Sequence, residues 1–130
     1  MKKTIIDTNF LMIPLQFRVD IFSELNRICH FNYKLIVYGQ TVEELKNVMQ
    51  KQAGKNKKAA QFALKLIKLK NIEIIESWKK DVDSLILENL DKDTIVATQD
   101  IMLKKEVLEK GSSVIILRKK QHLQLIEKAL

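Results

Sequence analysis

The chain has 130 residues, 46% of them hydrophobic and 30% charged, with a formal net charge of +7 and a pI near 9.5. That hydrophobic content rejects a disordered chain, the length suits a single domain over residues 1–130, and no apolar run approaches the ~20 residues that span a bilayer. A lone cysteine, Cys29, excludes an internal disulfide and a thiolate zinc site.

The N-terminal segment "TIID" reads as a strand that meets an acid at once, which leaves no room for the apolar core of a secretory leader. A reducing cytoplasm is the expected setting, with Cys29 a small buried hydrophobe on a helix. Pro14 follows the first strand and shapes a short helical turn. "RVDIFSELNRI" spaces Val19, Ile21, Phe22, Leu25 and Ile28 as a helix does. "KLIVYG" is a strand ended by Gly39, and "TVEELKNVMQ" is a helix with Val42, Leu45, Val48 and Met49 on one face. "GKNK" breaks that helix before "KAAQFALKLIKLK", a strong helix former that is apolar around much of its girth. "NIEII" is a short strand and "DVDSLILENL" a helix. "TIVAT" is a strand, "DIMLKKEVLEKG" a helix closed by Gly111 as its C′ residue, "SVIIL" a strand, and "QHLQLIEKAL" a last helix.

Strands alternate with helices, and "TIVAT" and "SVIIL" are continuously apolar, as strands of a parallel sheet covered on both faces are. The expected fold is a three-layer α/β/α sandwich with a parallel sheet of about five strands. In such sheets ligands bind beyond the carboxyl ends of the strands. Four acids map to that edge: Asp7 ends the first strand, Glu44 opens the helix after "LIVYG", Asp83 opens the helix after "NIEII", and Asp100 ends "TIVAT". Each also has an ordinary structural use. Asp100 can cap a helix, Thr41 and Glu44 can form a capping box, Asp83 can favour a helix dipole, and Asp7 with Asn9 can make a turn. Caps, however, work equally well as Ser, Thr or Asn, and here every junction carries a carboxylate with no Lys or Arg at its own turn. Converging carboxylates without partners repel one another, and a divalent cation relieves the conflict. Oxygen ligands without His or Cys suit Mg²⁺ or Mn²⁺.

The segments "IIDTN", "TVEEL", "DSLI" and "VATQD", in that order over essentially the whole chain, resemble the PIN domain family. The basic helix "KKAAQFALKLIKLK" and the tail "VIILRKK" are similar to its small archaeal members, near the pre-ribosomal RNA endonucleases and VapC-like toxins. The resemblance implies a PIN-like fold and a Mg²⁺- or Mn²⁺-dependent endoribonuclease acting on single-stranded RNA. It gives Asp7, Glu44, Asp83 and Asp100 the catalytic, metal-binding positions, with Asp81 as second choice for the third acid. It gives Thr8, Asn9 and Thr98 supporting roles, and Gln99 departs from the more frequent Asn. Homodimers are common in the family, and an antitoxin or a ribosome-assembly partner is implied beside RNA; no membrane is.

Two basic segments are candidate RNA contacts, Lys51, Lys55, Lys57 and Lys58 in one and Arg118, Lys119 and Lys120 in the other; ordinary solvated helix and loop ends would read the same. Aromatics are scarce at 6%, and Tyr38 and Trp78 are expected to pack rather than stack on bases. His30 and His122 receive no role. A phosphotransferase of the haloacid-dehalogenase type needs a second acid where Asn9 stands, and a P-loop needs glycines that "DTNFLMIP" lacks. The rival reading is a non-catalytic RNA- or protein-binding module on the same fold.

Overall fold

A computed structural model describes residues 1–78 and 81–127. In chain order the elements are β1 (Lys2–Ile6), α1 (Thr8–Leu11), α2 (Ile13–Phe17), α3 (Ile21–Ile28), β2 (Tyr33–Tyr38), α4 (Gly39–Lys51), α5 (Gly54–Leu69), β3 (Glu73–Ile75), α6 (Val82–Glu88), β4 (Thr94–Ala97), α7 (Ile101–Glu109), β5 (Ser113–Arg118) and β6 (His122–Ile126). The strands form one six-stranded sheet in the order β3-β2-β1-β4-β5-β6.

The continuous apolar character of the strands follows from their period of two. Ile6, Val37, Ile95 and Ile115 face one core, shared with α1 to α5. Their sequence neighbours Ile5, Tyr38, Val96 and Val114 face the other, shared with α6 and α7. Both faces are covered, so both sets must be apolar. Phe10, Leu11, Ile13, Ile21, Leu25 and Leu45 are fully buried, each contributing about 1.5–3 kcal/mol of transfer free energy. Asp20 starts α3 by accepting bonds from the backbone N–H groups of Phe22 and Ser23. Gly111 lies at φ 96°, as the C′ position after α7 requires. Cys29 is buried at the C-terminal end of α3, and Pro14 lies in the first turn of α2.

The chain leaves β1 to build β2 and β3 on one side, then returns to place β4 and β5 on the other. The sheet therefore reverses direction between β1 and β4. Their pairing is parallel, with Ile6 opposite Ala97, so Asp7 and Thr98 emerge side by side at the carboxyl edge. The Asp7 N–H donates to the Ala97 carbonyl at 2.9 Å and the Thr98 N–H to the Ile115 carbonyl at 3.1 Å.

Three expectations are corrected. The segment expected as a last helix contains β6, a sixth strand, antiparallel to β5 with Leu117 opposite Leu123. "HLQLI" alternates, with Leu123 buried between exposed His122 and Gln124, and that period of two decides the outcome. Residues 128–130 lie outside the described part. "GKNK" does not break a helix: α5 begins at Gly54, and the break falls at Gln52–Ala53. The capping box does not form either. Helix α4 starts at Gly39 with Tyr38 as its cap residue, which puts Thr41 inside the first turn. Among the described residues no helix is long and apolar enough to cross a membrane.

Candidate active site

The centre of the site is Asp7. It caps α1 from the end of β1, and only 5% of it is exposed. Its Oδ1 accepts from the Thr8 N–H at 2.9 Å. Its Oδ2 accepts from the Thr98 hydroxyl at 2.7 Å, a length typical of a charge-assisted bond. The same Thr98 oxygen accepts from the Asp100 N–H at 3.0 Å. One buried hydroxyl therefore ties the β1 acid to the β4 acid. A second tie runs outside it: Gln99 Nε2 donates to the Asn9 carbonyl at 2.8 Å. Asn9 thus supports the site through its backbone, with its side chain exposed.

Asp100 caps α7. Its Oδ1 accepts from the N–H groups of Met102 at 2.9 Å and Leu103 at 3.2 Å. Both bonds use the same oxygen, which leaves Oδ2 turned to other uses. Glu44 lies one turn into α4 and is exposed. The nearby Thr8 hydroxyl lowers its pKa and donates to the buried Thr41 hydroxyl at 3.3 Å. On the far side, α6 separates two neighbouring acids. Asp81 caps the helix by accepting from the Ser84 N–H at 2.7 Å, and this holds its pKa below the ordinary value. Asp83 stands in the first turn and is shifted the other way.

The electrostatics connect these groups. Burial pushes the Asp7 carboxyl above its ordinary pKa; the bonds from Thr98 and Thr8 pull against it, and the charges of Glu44 and Asp100 push with burial. Desolvation also raises Glu44, helped by Asp83 and Asp81. Asp83 is raised by desolvation first, then by Asp7, Asp100, Asp81 and Glu106. Four elements, β1, α4, α6 and the β4–α7 junction, thus bring their acids within electrostatic reach. None of the ion pairs among the described residues involves Asp7, Glu44, Asp83 or Asp100.

Such a cluster is costly without a counter-charge. Among the described residues no three His, Cys, Asp or Glu side chains already form a metal-holding group. The acids offer oxygen donors only, which suit a hard divalent cation and not a soft metal.

Three contributors escaped the sequence reading. Thr41 looked like a cap and is a buried partner of Thr8. Gln99 looked like a neutral departure and is a clamp. Glu106 adds its charge to Asp83 from the second turn of α7, and only its helical offset from Asp100 signals it. Tyr38 packs in the core as expected, but Trp78 does not pack; it is fully exposed.

The expected cations divide between two clefts. The larger, about 650 Å³, opens beside Thr98 and Asp100 and is lined by Lys104, Arg118, Lys119 and Lys120 as well as Phe17 and Ile101. The smaller, about 340 Å³, is lined by Arg18, Lys55 and Lys58. Lys51 and Lys57 line neither.

The fold and its acid-lined switch point define a class that the comparisons identify. A family model described as a PIN like domain matches residues 4–120, and the chain belongs to that family. It is 26% identical over 127 residues to ribonuclease VapC4 of Methanocaldococcus jannaschii, covering 96% of this chain and 97% of that protein. It is 30% identical over 111 residues to ribonuclease VapC9 of Archaeoglobus fulgidus, covering 85% of this chain and 78% of that protein. The solved structure of the PIN domain endonuclease Utp24 superposes with a TM-score of 0.78 at 20% identity, over 98% of this chain and 96% of that one.

Proposed function

We propose that this chain is an endoribonuclease that hydrolyses phosphodiester bonds of single-stranded RNA with Mg²⁺ or Mn²⁺. One observation carries the reading: Asp7, Glu44 and Asp83, from three elements, are each pushed above their ordinary pKa at the β1–β4 switch point, with no basic side chain paired to them among the described residues. A binding module has no use for unpaired carboxylates facing RNA phosphates. The ribonuclease names of both relatives support the same reading.

Asp7, Glu44, Asp83 and Asp100 are the residues that would hold the ion. When bound, it would supply Lewis-acid stabilisation of the scissile phosphate and lower the pKa of water. The chain's own contributions are positional. Thr98 fixes Asp7 and Asp100 in one register, Gln99 locks the two loops that carry them, and Thr8 with Thr41 orients Glu44. The Asp100 cap uses Oδ1 alone, so Oδ2 is the oxygen that would be available to hold the ion. Asp81 is a helix cap in this scheme and holds no ion. The VapC relatives make an antitoxin-paired toxin the favoured role, with RNA processing as the other. The setting is cytoplasmic, in a single domain over residues 1–130; a homodimer packed on α5 belongs to the same proposal.

The test is cleavage of an end-labelled single-stranded RNA by wild type, Asp7→Asn and Asp100→Asn in Mn²⁺, Mg²⁺ and EDTA, with Mn²⁺-dependent melting read in parallel. Metal-dependent cutting that both substitutions reduce by about 100-fold or more is expected. A folded wild type that neither cuts RNA nor gains stability from Mn²⁺ would return the acids to capping roles and leave the binding-module reading.

A further inference from the structure

The described residues hold four non-glycine positions with left-handed backbone: Arg18 at φ 55°, Asn71 at 51°, Lys119 at 53° and Lys120 at 56°. Asn tolerates that conformation, because its short side chain can bond locally. Arg and Lys do not, and each such residue costs about 1 kcal/mol or more. All three strained cations line a cleft, Lys119 and Lys120 the larger one, which opens beside Asp100, and Arg18 the smaller. Glycine or asparagine would make the β5–β6 turn at lower cost. The sequence places lysine at both positions instead.

At the C-terminal end of α2, Phe17 lines the larger cleft and its chain neighbour Arg18 the smaller. Lys120 Nζ lies 5.8 Å from the centroid of the Phe17 ring, within cation–π range. Ile101 and Met102 are 77% and 66% exposed at the start of α7, and Ile101 lines the larger cleft together with the cations. None of the ion pairs among the described residues involves Arg18, Arg118, Lys119 or Lys120. The larger cleft is thus lined by apolar and cationic side chains, with Asp100 as its one carboxylate. A flexible polyanion with planar apolar bases matches each of these features.

We propose that the two clefts form one track for single-stranded RNA, running from Lys55 and Arg18 past Phe17 to Lys119 and Lys120. One nucleotide lies in the larger cleft beside Asp100, its base against Phe17 and Ile101 and its phosphate on the β5–β6 turn. The proposal rests on the nuclease reading for the identity of the strand and adds where the strand lies. Phosphate contacts of this kind fix position without reading sequence, so sequence preference arises from the Phe17–Ile101 floor.

The test is fluorescence anisotropy of a labelled single-stranded RNA octamer in EDTA, where metal-dependent cutting is silent. Lys119→Gly/Lys120→Gly is compared with Lys65→Gln/Lys68→Gln, which removes the same charge from α5. The turn variant is expected to lose about tenfold or more in affinity and about 1.4 units of salt slope, from roughly 0.7 per lysine. The α5 variant is expected to change affinity less than about twofold. The melting temperature of the turn variant stays level or rises, because glycine relieves the left-handed backbone. Ile101→Ser lowers affinity about threefold with the slope unchanged. Equal losses in the turn and α5 variants overturn the track, as does a wild type that binds no RNA at low salt. A wild type that binds through the turn but does not cut with metal supports the track and removes the nuclease reading; one that cuts but binds independently of the turn does the reverse.

Discussion

Thr98→Val is the sharpest probe of how the site is held. Valine matches threonine in shape, so the substitution at this fully buried position opens no cavity. It removes the 2.7 Å bond to Asp7 Oδ2 and the acceptor of the Asp100 N–H at 3.0 Å. A hydrogen bond to a charged group is worth about 1.5–3 kcal/mol, and an ordinary one about 1 kcal/mol. The expected loss at pH 8 is therefore about 2–4 kcal/mol. The pH dependence has a definite sign. The Thr98 bond lowers the Asp7 pKa, so its extra worth exists only while Asp7 is ionised. Burial holds the folded Asp7 pKa above its ordinary value. The difference between wild type and variant must then shrink as pH falls through that folded value, toward about 2 kcal/mol, the worth of two ordinary bonds, when Asp7 is protonated. Urea unfolding in EDTA from pH 4 to pH 8 reads this directly; with m of about 2 kcal/mol/M the midpoint moves by about 1–2 M at pH 8. Thr98→Ser keeps the hydroxyl and loses one methyl, so it costs about 1 kcal/mol at every pH. A Thr98→Val penalty below about 0.5 kcal/mol, or one equal at both ends of the range, would refute the bridging role.

The other acids give separable outcomes. Asp7→Asn removes a buried charge whose raised pKa weakens folding; that group's stability is intact below about pH 3.9 and is lost as pH rises through the folded pKa. The metal-free variant is therefore expected to melt above wild type at pH 8 in calorimetry. Wild type gains about 2.7 kcal/mol from Mn²⁺ at 100 times the Kd and so regains the lead. Asp81→Ala loses the α6 cap bond and about 1 kcal/mol in urea unfolding, with RNA cleavage kept within about threefold. Asp83→Ala is expected to do the reverse, losing about 100-fold in kcat with stability unchanged or higher. Gln99→Ala breaks the clamp on the Asn9 carbonyl at the surface and is expected to lower kcat about tenfold with less than about 1 kcal/mol of stability lost. Leu123→Ala, at a position only 1% exposed, is expected to cost about 2–5 kcal/mol, which checks that β6 belongs to the core.

The layered fold was legible because its signal is local. Buried parallel strands must be apolar on both faces, and "TIVAT" and "SVIIL" say so residue by residue. Gly111 likewise announces the end of α7. The last strand was not legible in the same way. Five residues of alternation in "HLQLI" compete with a longer stretch of good helix formers, and only pairing with β5 across a turn of two left-handed lysines resolves the contest. Local propensity cannot see that partner. The acids were legible as a set, since each ends or follows a strand. Of their supports, Thr8, Asn9 and Thr98 came only from the family resemblance, and Gln99 was not read as one. Gln99 acts on a residue 90 positions away, and Thr98 on one 91 positions away. Such bonds have no sequence period, and no local pattern predicts them.

Capping and metal binding were opposed readings of the same acids, and the geometry of Asp100 removes the opposition. Its Oδ1 accepts two backbone N–H groups of α7, while no bond among the described residues uses Oδ2. The cap holds the side chain in one rotamer and leaves the second oxygen outside the cap. Asp7 follows the same logic with Oδ1 on the Thr8 N–H and Oδ2 on Thr98; each carboxylate oxygen retains a further lone pair. Serine or threonine could supply the cap but not the second oxygen, and asparagine could supply the shape but not the charge. A requirement for capping alone would accept any of these four residue types, and a requirement for charge alone would accept glutamate. Only aspartate meets both at a strand-to-helix junction. Asp81 tests the distinction from the other side, because it caps α6 with a lowered pKa beside the cluster. Capping is therefore a means by which this fold positions a carboxylate, and burial raises the pKa of Asp7 and Asp83 while the cap lowers that of Asp81.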